Sequence, residues 1–172
     1  IKSKQLSIGL ILENPGLIPA DQQVVLVCER GVNSMAIIEE LQKSGKNDNL
    51  YNLNGLDNLT SIGNFLAIYN NDSLLNLSGL DNLTLIGNSL SIVNNASLTN
   101  INSLQTLTSI GSYVRIMANN NLINLNGLDN ITSITSFLDV VNNHSLVSLS
   151  GLGNLTYIGD NLSITDNPII TS

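Results

Sequence analysis

A 24-residue repeat runs without insertion or deletion from Leu50 onward, and a chain built this way has few folds open to it. The units cover residues 50–73, 74–97, 98–121, 122–145 and 146–169, and Ile170 would open a sixth. Within a unit, apolar residues fall at positions 1, 4, 7, 10, 13, 17 and 19; position 11 is always Thr and position 22 always Asn. Neither a 3.6-residue helical stripe nor a long alternating strand fits that spacing. A coil of three short strands does, with apolar side chains from every side meeting on one axis and stacking on their equivalents one coil away. The expectation is a mainly β protein: a right-handed β-solenoid of leucine-rich coils about 4.8 Å apart. Asn71, Asn95, Asn119, Asn143 and Asn167 are expected in turns, their side-chain amides hydrogen-bonded from coil to coil.

Charge excludes some partners. The net charge is −7, and from Leu50 onward Arg115 is the only Lys or Arg, against seven aspartates. Phosphate backbones need clustered cations, so nucleic acid is not expected as a partner. No apolar run approaches the roughly 18–20 residues that span a bilayer, so membrane insertion is not expected either. Asp57, Asp81 and Asp129 recur at position 8, but Gln105 and Gly153 interrupt the row. Turn acids usually bond backbone, so neither a metal nor a cofactor is expected. Sequons such as those at Asn58, Asn82, Asn130 and Asn154 follow automatically from the repeat.

The consensus L-x-x-L-x-G-L-x-N-L-T-x-I-G-x-x-L-x-I-x-N-N-x-S resembles the leucine-rich coils of receptor L domains, the ligand-binding halves of epidermal growth factor and insulin receptor ectodomains. It is similar also to the regular tandem repeats of bacterial and protist surface proteins. In receptor L domains a sheet face carries ligand contacts, and the resemblance implies the same here. Positions 16, 18 and 20 of each coil read as facing outward, and they hold Phe65, Tyr69, Tyr113, Arg115, Met117, Phe137 and Asp139. An aromatic and aliphatic strip in an otherwise Asn-, Ser- and Thr-rich exterior has the composition of a binding face. The alternative is that aromatic and β-branched residues merely suit a pleated surface.

Residues 1–49 carry five of the six Lys and Arg and no repeat. Val24–Val27 reads as a buried strand; Met35, Ile38 and Leu41 have helical spacing, with Lys43 and Gly45 at the expected C-terminal stop. Between them lies Cys28-Glu29-Arg30-Gly31-Val32-Asn33-Ser34. This strand, C-x-x-G-x-x-S loop and helix ending near LQKSG resemble the rhodanese sulfurtransferases. The resemblance, over about residues 20–55, implies a persulfide on Cys28, a backbone anion cradle from Glu29 to Ser34, and Arg30 steering an anionic donor. The family's Asp-x-Arg motif is missing from residues 1–26, so the segment is expected to serve as an N-terminal cap on the first coil.

Three functional readings follow. The leading one is a recognition or adhesion module at the cell surface or secreted, binding protein or carbohydrate. The second is a cytoplasmic or periplasmic sulfurtransferase with the solenoid as an interaction arm. The third is a spacer in a longer repeat array, whose uncapped last coil associates end to end.

Overall fold

The computed structural model describes Val24–Cys28, Met35–Ile38, Leu53 and residues 56–170. Two strands come first, β1 (Val24–Cys28) and β2 (Met35–Ile38). Each coil then contributes a short strand: Ser61–Ile62 (β3), Leu85–Ile86 (β5), Ser109–Ile110 (β7), Ser133–Ile134 (β9) and Tyr157–Ile158 (β11). A four-residue strand follows in each: Leu66–Tyr69 (β4), Leu90–Val93 (β6), Val114–Met117 (β8), Leu138–Val141 (β10) and Leu162–Thr165 (β12). The long strands pair in parallel at a shift of 24 residues, Leu66 opposite Leu90 and Leu90 opposite Val114. The fold is the expected β-solenoid.

Among the described residues each coil has two strands and not three. The remaining side is a chain of tight turns, and the spacing of its leucines is the reason. Leu74 donates its N–H to Asn71 O, Leu80 to Leu77 O and Leu83 to Leu80 O, at 3.0, 3.1 and 3.0 Å. Leu98, Leu104 and Leu107 repeat the pattern on Asn95, Ile101 and Leu104. Apolar residues three apart are brought to one side by i→i−3 bonding, as in a 3-10 helix, and Asn102–Leu104 and Ser150–Leu152 are assigned to that class. Both strands and the turn side feed one core: Leu74, Leu77, Leu80, Leu83, Ile86, Leu90 and Ile92 of the second coil are wholly buried. Burying each such side chain contributes about 1.5–3 kcal/mol.

The position-22 asparagines form a continuous ladder, buried from Asn71 to Asn143. Asn71, Asn95 and Asn119 each donate the backbone N–H and the side-chain amide to Oδ1 of the asparagine one coil on, with N–H distances of 3.1 Å. Each amide from Asn95 to Asn167 also donates to the position-19 carbonyl of the preceding coil, as Asn119 does to Ile92 O at 2.9 Å. One amide thus joins two coils on its own, which accounts for Asn rather than Ser or Asp in every unit.

The long strands build one sheet in the order β12-β10-β8-β6-β4-β1-β2, whereas the short strands split into β3-β5-β7 and β9-β11. The split has a local cause. Gly87, Gly111 and Gly159 at position 14 donate their N–H to Ile62, Ile86 and Ile134. A β-carbon on any of them would run into the backbone carbonyl of the previous coil, at Gly63, Gly87 and Thr135 respectively. The fourth coil has Thr135 there instead of Gly, and its hydroxyl donates to Gly111 O at 2.7 Å. Side chain replaces main chain in the contact, and β9 does not pair with β7.

The N-terminal segment departs from expectation. Met35–Ile38 is a strand and not the first turn of a helix, antiparallel to β1 with Cys28 opposite Met35. In a four-residue apolar run the i, i+3 spacing of Met35 and Ile38 does not separate helix from strand. Pairing with β1 satisfies the backbone, and β-branched Ile37 and Ile38 suit it. On its other edge β1 is antiparallel to β4, so the coil-1 edge of the long sheet is occupied.

Candidate functional site

Alternation along each long strand sends positions 17 and 19 into the core and 16, 18 and 20 to the opposite face. The exposure of that face changes along the solenoid. In the first coil Phe65, Ala67 and Tyr69 are at most 2% exposed, and in the second Ser89, Ser91 and Val93 at most 8%. Phe65 and Tyr69, expected at a binding face, are therefore interior residues. Tyr69 donates its hydroxyl to Ser91 Oγ at 2.9 Å, and burial raises its pKa above the usual tyrosine value.

The third and fourth coils leave the same face half open. Tyr113 and Phe137, one coil apart at position 16, have ring centroids 4.4 Å apart and an interplanar angle of 10°. Rings lying side by side on the sheet could not approach so closely, so they stack face to face along the solenoid axis. Their edges form the surface. Arg115 lies over both, its Cζ 5.7 Å from the Tyr113 centroid and 5.1 Å from that of Phe137. Its Nε and Nη2 donate to Asp139 Oδ2 at 3.2 and 3.1 Å. Met117 continues the patch at position 20. Burial raises the Tyr113 pKa, partly offset by Arg115 and by a hydrogen bond with Ser89. Five of the expected residues, Tyr113, Arg115, Met117, Phe137 and Asp139, are thus brought together; in the fifth coil the face becomes polar, with Asn161, Ser163 and Thr165.

The turn side carries a second exposed feature not expected from the sequence. Leu75, Ile123 and Val147 at position 2 are 44%, 48% and 39% exposed. Thr99 completes a backbone ladder with them. The available signal was an aliphatic residue at position 2 in the second, fourth and fifth coils, just after a buried leucine.

The position-8 acids have a structural task. Asp81 and Asp129 accept the N–H of Gly79 and Gly127 at 2.9 and 2.7 Å, each closing a turn. The amides of Asn82, Asn130 and Asn154 donate to carbonyls of the preceding coil at 2.7 Å. Cys28 ends β1, while Glu29, Arg30, Gly31, Val32, Asn33 and Ser34 lie outside the described residues. The helix start that the thiolate and anion-cradle expectation required is absent at Met35–Ile38. Among the described residues no helix is long and apolar enough to cross a membrane. Comparison with protein families, curated proteins and solved structures gave no match.

Proposed function

We propose that this chain is a recognition module, with a protein ligand docking on the half-open face of the third and fourth coils. The observation that carries the reading is the Tyr113–Phe137 stack with Arg115 held over it by Asp139. Aromatic and Arg side chains are the residues most enriched in binding hot spots. Here all four side chains are already locked by mutual contacts, so little conformational entropy is lost on docking. Sugars are usually gripped by flat aromatic faces, and these rings use their faces on each other. Exposed edges, a guanidinium and Met117 suit apolar and carbonyl groups of a protein. The resemblance of the repeat to receptor L domains and to bacterial and protist surface repeats supports recognition at a cell surface or by a secreted protein. With a strand at Met35–Ile38, no observation favours the sulfurtransferase reading.

The test is selection from a display library of folded domains on the native chain, with binders re-measured on the Tyr113→Ser/Phe137→Ser double variant. Hot-spot truncations of this type weaken binding at least about tenfold. Binders that hold both proteins equally would defeat the reading, and a glycan array whose hits depend on the same two residues would replace protein by carbohydrate.

A further inference from the structure

Positions 5 and 6 of the fourth coil hold Asn126-Gly127, the only Asn-Gly pair among the described residues; the second and fifth coils have Ser-Gly there and the third Asn-Ser. An asparagine before glycine is prone to lose its side-chain ammonia, because a glycine N–H carries no neighbouring β-carbon that would hinder its approach to the amide carbon. In this turn both reacting groups are already engaged. Gly127 has φ of 113°, a conformation that favours glycine, and its N–H donates to Asp129 Oδ2 at 2.7 Å. From the next coil the Ser150 hydroxyl donates to Asn126 Oδ1 at 2.9 Å. Asn126 is exposed, and its Nδ2, the group that would leave, makes no hydrogen bond to a described residue. The second coil has the same acid on the same glycine, Asp81 on Gly79, but Ser78 offers no amide.

We propose that Asn126 is a self-modifying site, which the folded chain converts to aspartate through a succinimide with Asp129 and Ser150 as catalytic residues. Gly127 N bonds to Asn126 Cγ while its proton passes to the Asp129 carboxylate. The negative charge that develops on Oδ1 is met by the Ser150 hydroxyl. Breaking the Cγ–Nδ2 bond then returns the proton to Nδ2, and ammonia leaves behind a five-membered imide. Water adds to one imide carbonyl and reopens the ring by breaking that carbon's bond to Gly127 N. Addition at Cγ restores an ordinary peptide with aspartate; addition at the main-chain carbonyl gives isoaspartate, whose backbone is one methylene longer. Two features select the first product. Ser150 polarises the Cγ carbonyl, and the turn is clamped on both sides. A β-carbon on Gly151 would run into Leu125 O, and one on Gly127 into Ile101 O, so the main chain around Asn126 has no room for an added methylene. Aspartate at this position still accepts the Ser150 hydroxyl, so the contact between coils survives the change. The proposal goes beyond the recognition reading and stands without it.

Ageing the 172-residue chain in warm neutral buffer, with and without guanidinium, and resolving asparagine, aspartate and isoaspartate at position 126 by peptide mass spectrometry tests it. The native chain should react at least as fast as the denatured one and yield mainly aspartate, with isoaspartate the main product only after denaturation. Ser150→Ala and Asp129→Asn should each slow the native reaction about three- to tenfold, the worth of one hydrogen bond, and leave the denatured rate unchanged. Ser150→Thr keeps the hydroxyl and should restore the native rate. Asparagine at 129 can still accept the Gly127 N–H, so that variant removes the charge without opening the turn. A native rate below the denatured one, a native rate that either substitution leaves unchanged, or isoaspartate as the main native product would each overturn the proposal.

Discussion

Replacing Asn119 by Ala tests whether the buried amide ladder, and not leucine packing alone, holds the coils in register. The residue is wholly buried. Its Oδ1 accepts the backbone N–H and the side-chain amide of Asn95, each at 3.1 Å. Its amide donates to Ile92 O at 2.9 Å, Met117 O at 3.1 Å and Asn143 Oδ1 at 3.4 Å. After truncation the Asn95 amide keeps Ile68 O and Val93 O, and Met117 O keeps Asn94 N–H. The Asn95 backbone N–H keeps nothing and becomes a buried orphan, which costs about 1–3 kcal/mol. The lost bonds to Ile92 and Met117 carbonyls add about 0.5–1.5 kcal/mol each, so the expected loss is about 3–5 kcal/mol with the small cavity included. That is a large share of the roughly 5–15 kcal/mol of a typical domain. Guanidinium unfolding followed by far-ultraviolet circular dichroism reads it as a lower midpoint, with the slope checked for constancy because repeat arrays can lose cooperativity. Asn119→Leu fills the volume without restoring a single bond and should recover less than half of the loss. A cost below about 1 kcal/mol for Ala, or full recovery by Leu, would refute the hydrogen-bond account and leave packing as the cause.

Three other outcomes are expected. Ala118 has φ of 56°, at the position where other coils place Asn70, Asn94, Asn142 and Asp166 in the same left-handed region; Ala118→Asn should raise the melting temperature, by about 1 kcal/mol of relieved strain. The amides of Thr132 and Thr135 should exchange hydrogen faster than those of Thr108 and Gly111, which donate to Thr84 and Ile86, and Thr135→Gly should slow them; equal rates in the native chain would contradict the break between β7 and β9. Burial raises the pKa of Tyr69 and Tyr113, so the folded state holds their protons longer than the unfolded chain does. The stability they contribute is complete below the unfolded tyrosine value of about 10 and is lost as pH rises through their folded values. Tyr69→Phe should therefore flatten the alkaline fall in unfolding free energy measured by pH-resolved denaturation.

Leucines three apart, an invariant Asn and a strict period of 24 were enough to specify stacked coils with one core, because each acts through contacts to its own coil or to the equivalent residue 24 places away. The sequence alone also marked Tyr113, Arg115, Met117, Phe137 and Asp139 as neighbours on one face, since positions 16, 18 and 20 repeat in register. Three things depended on tertiary structure. Phe65 and Tyr69 have the same positions as Tyr113 and Met117, yet they are buried, and burial is set by what the rest of the molecule places over a surface, which a period cannot record. Met35–Ile38 chose strand over helix because β1 was there to pair with it. Thr135 divided the short sheet because coils approach too closely at position 14 for a side chain without rearrangement, a consequence of coil spacing and not of Thr itself. Local pattern decided which atoms could meet within and between coils; packing between distant segments decided which of those surfaces remained open.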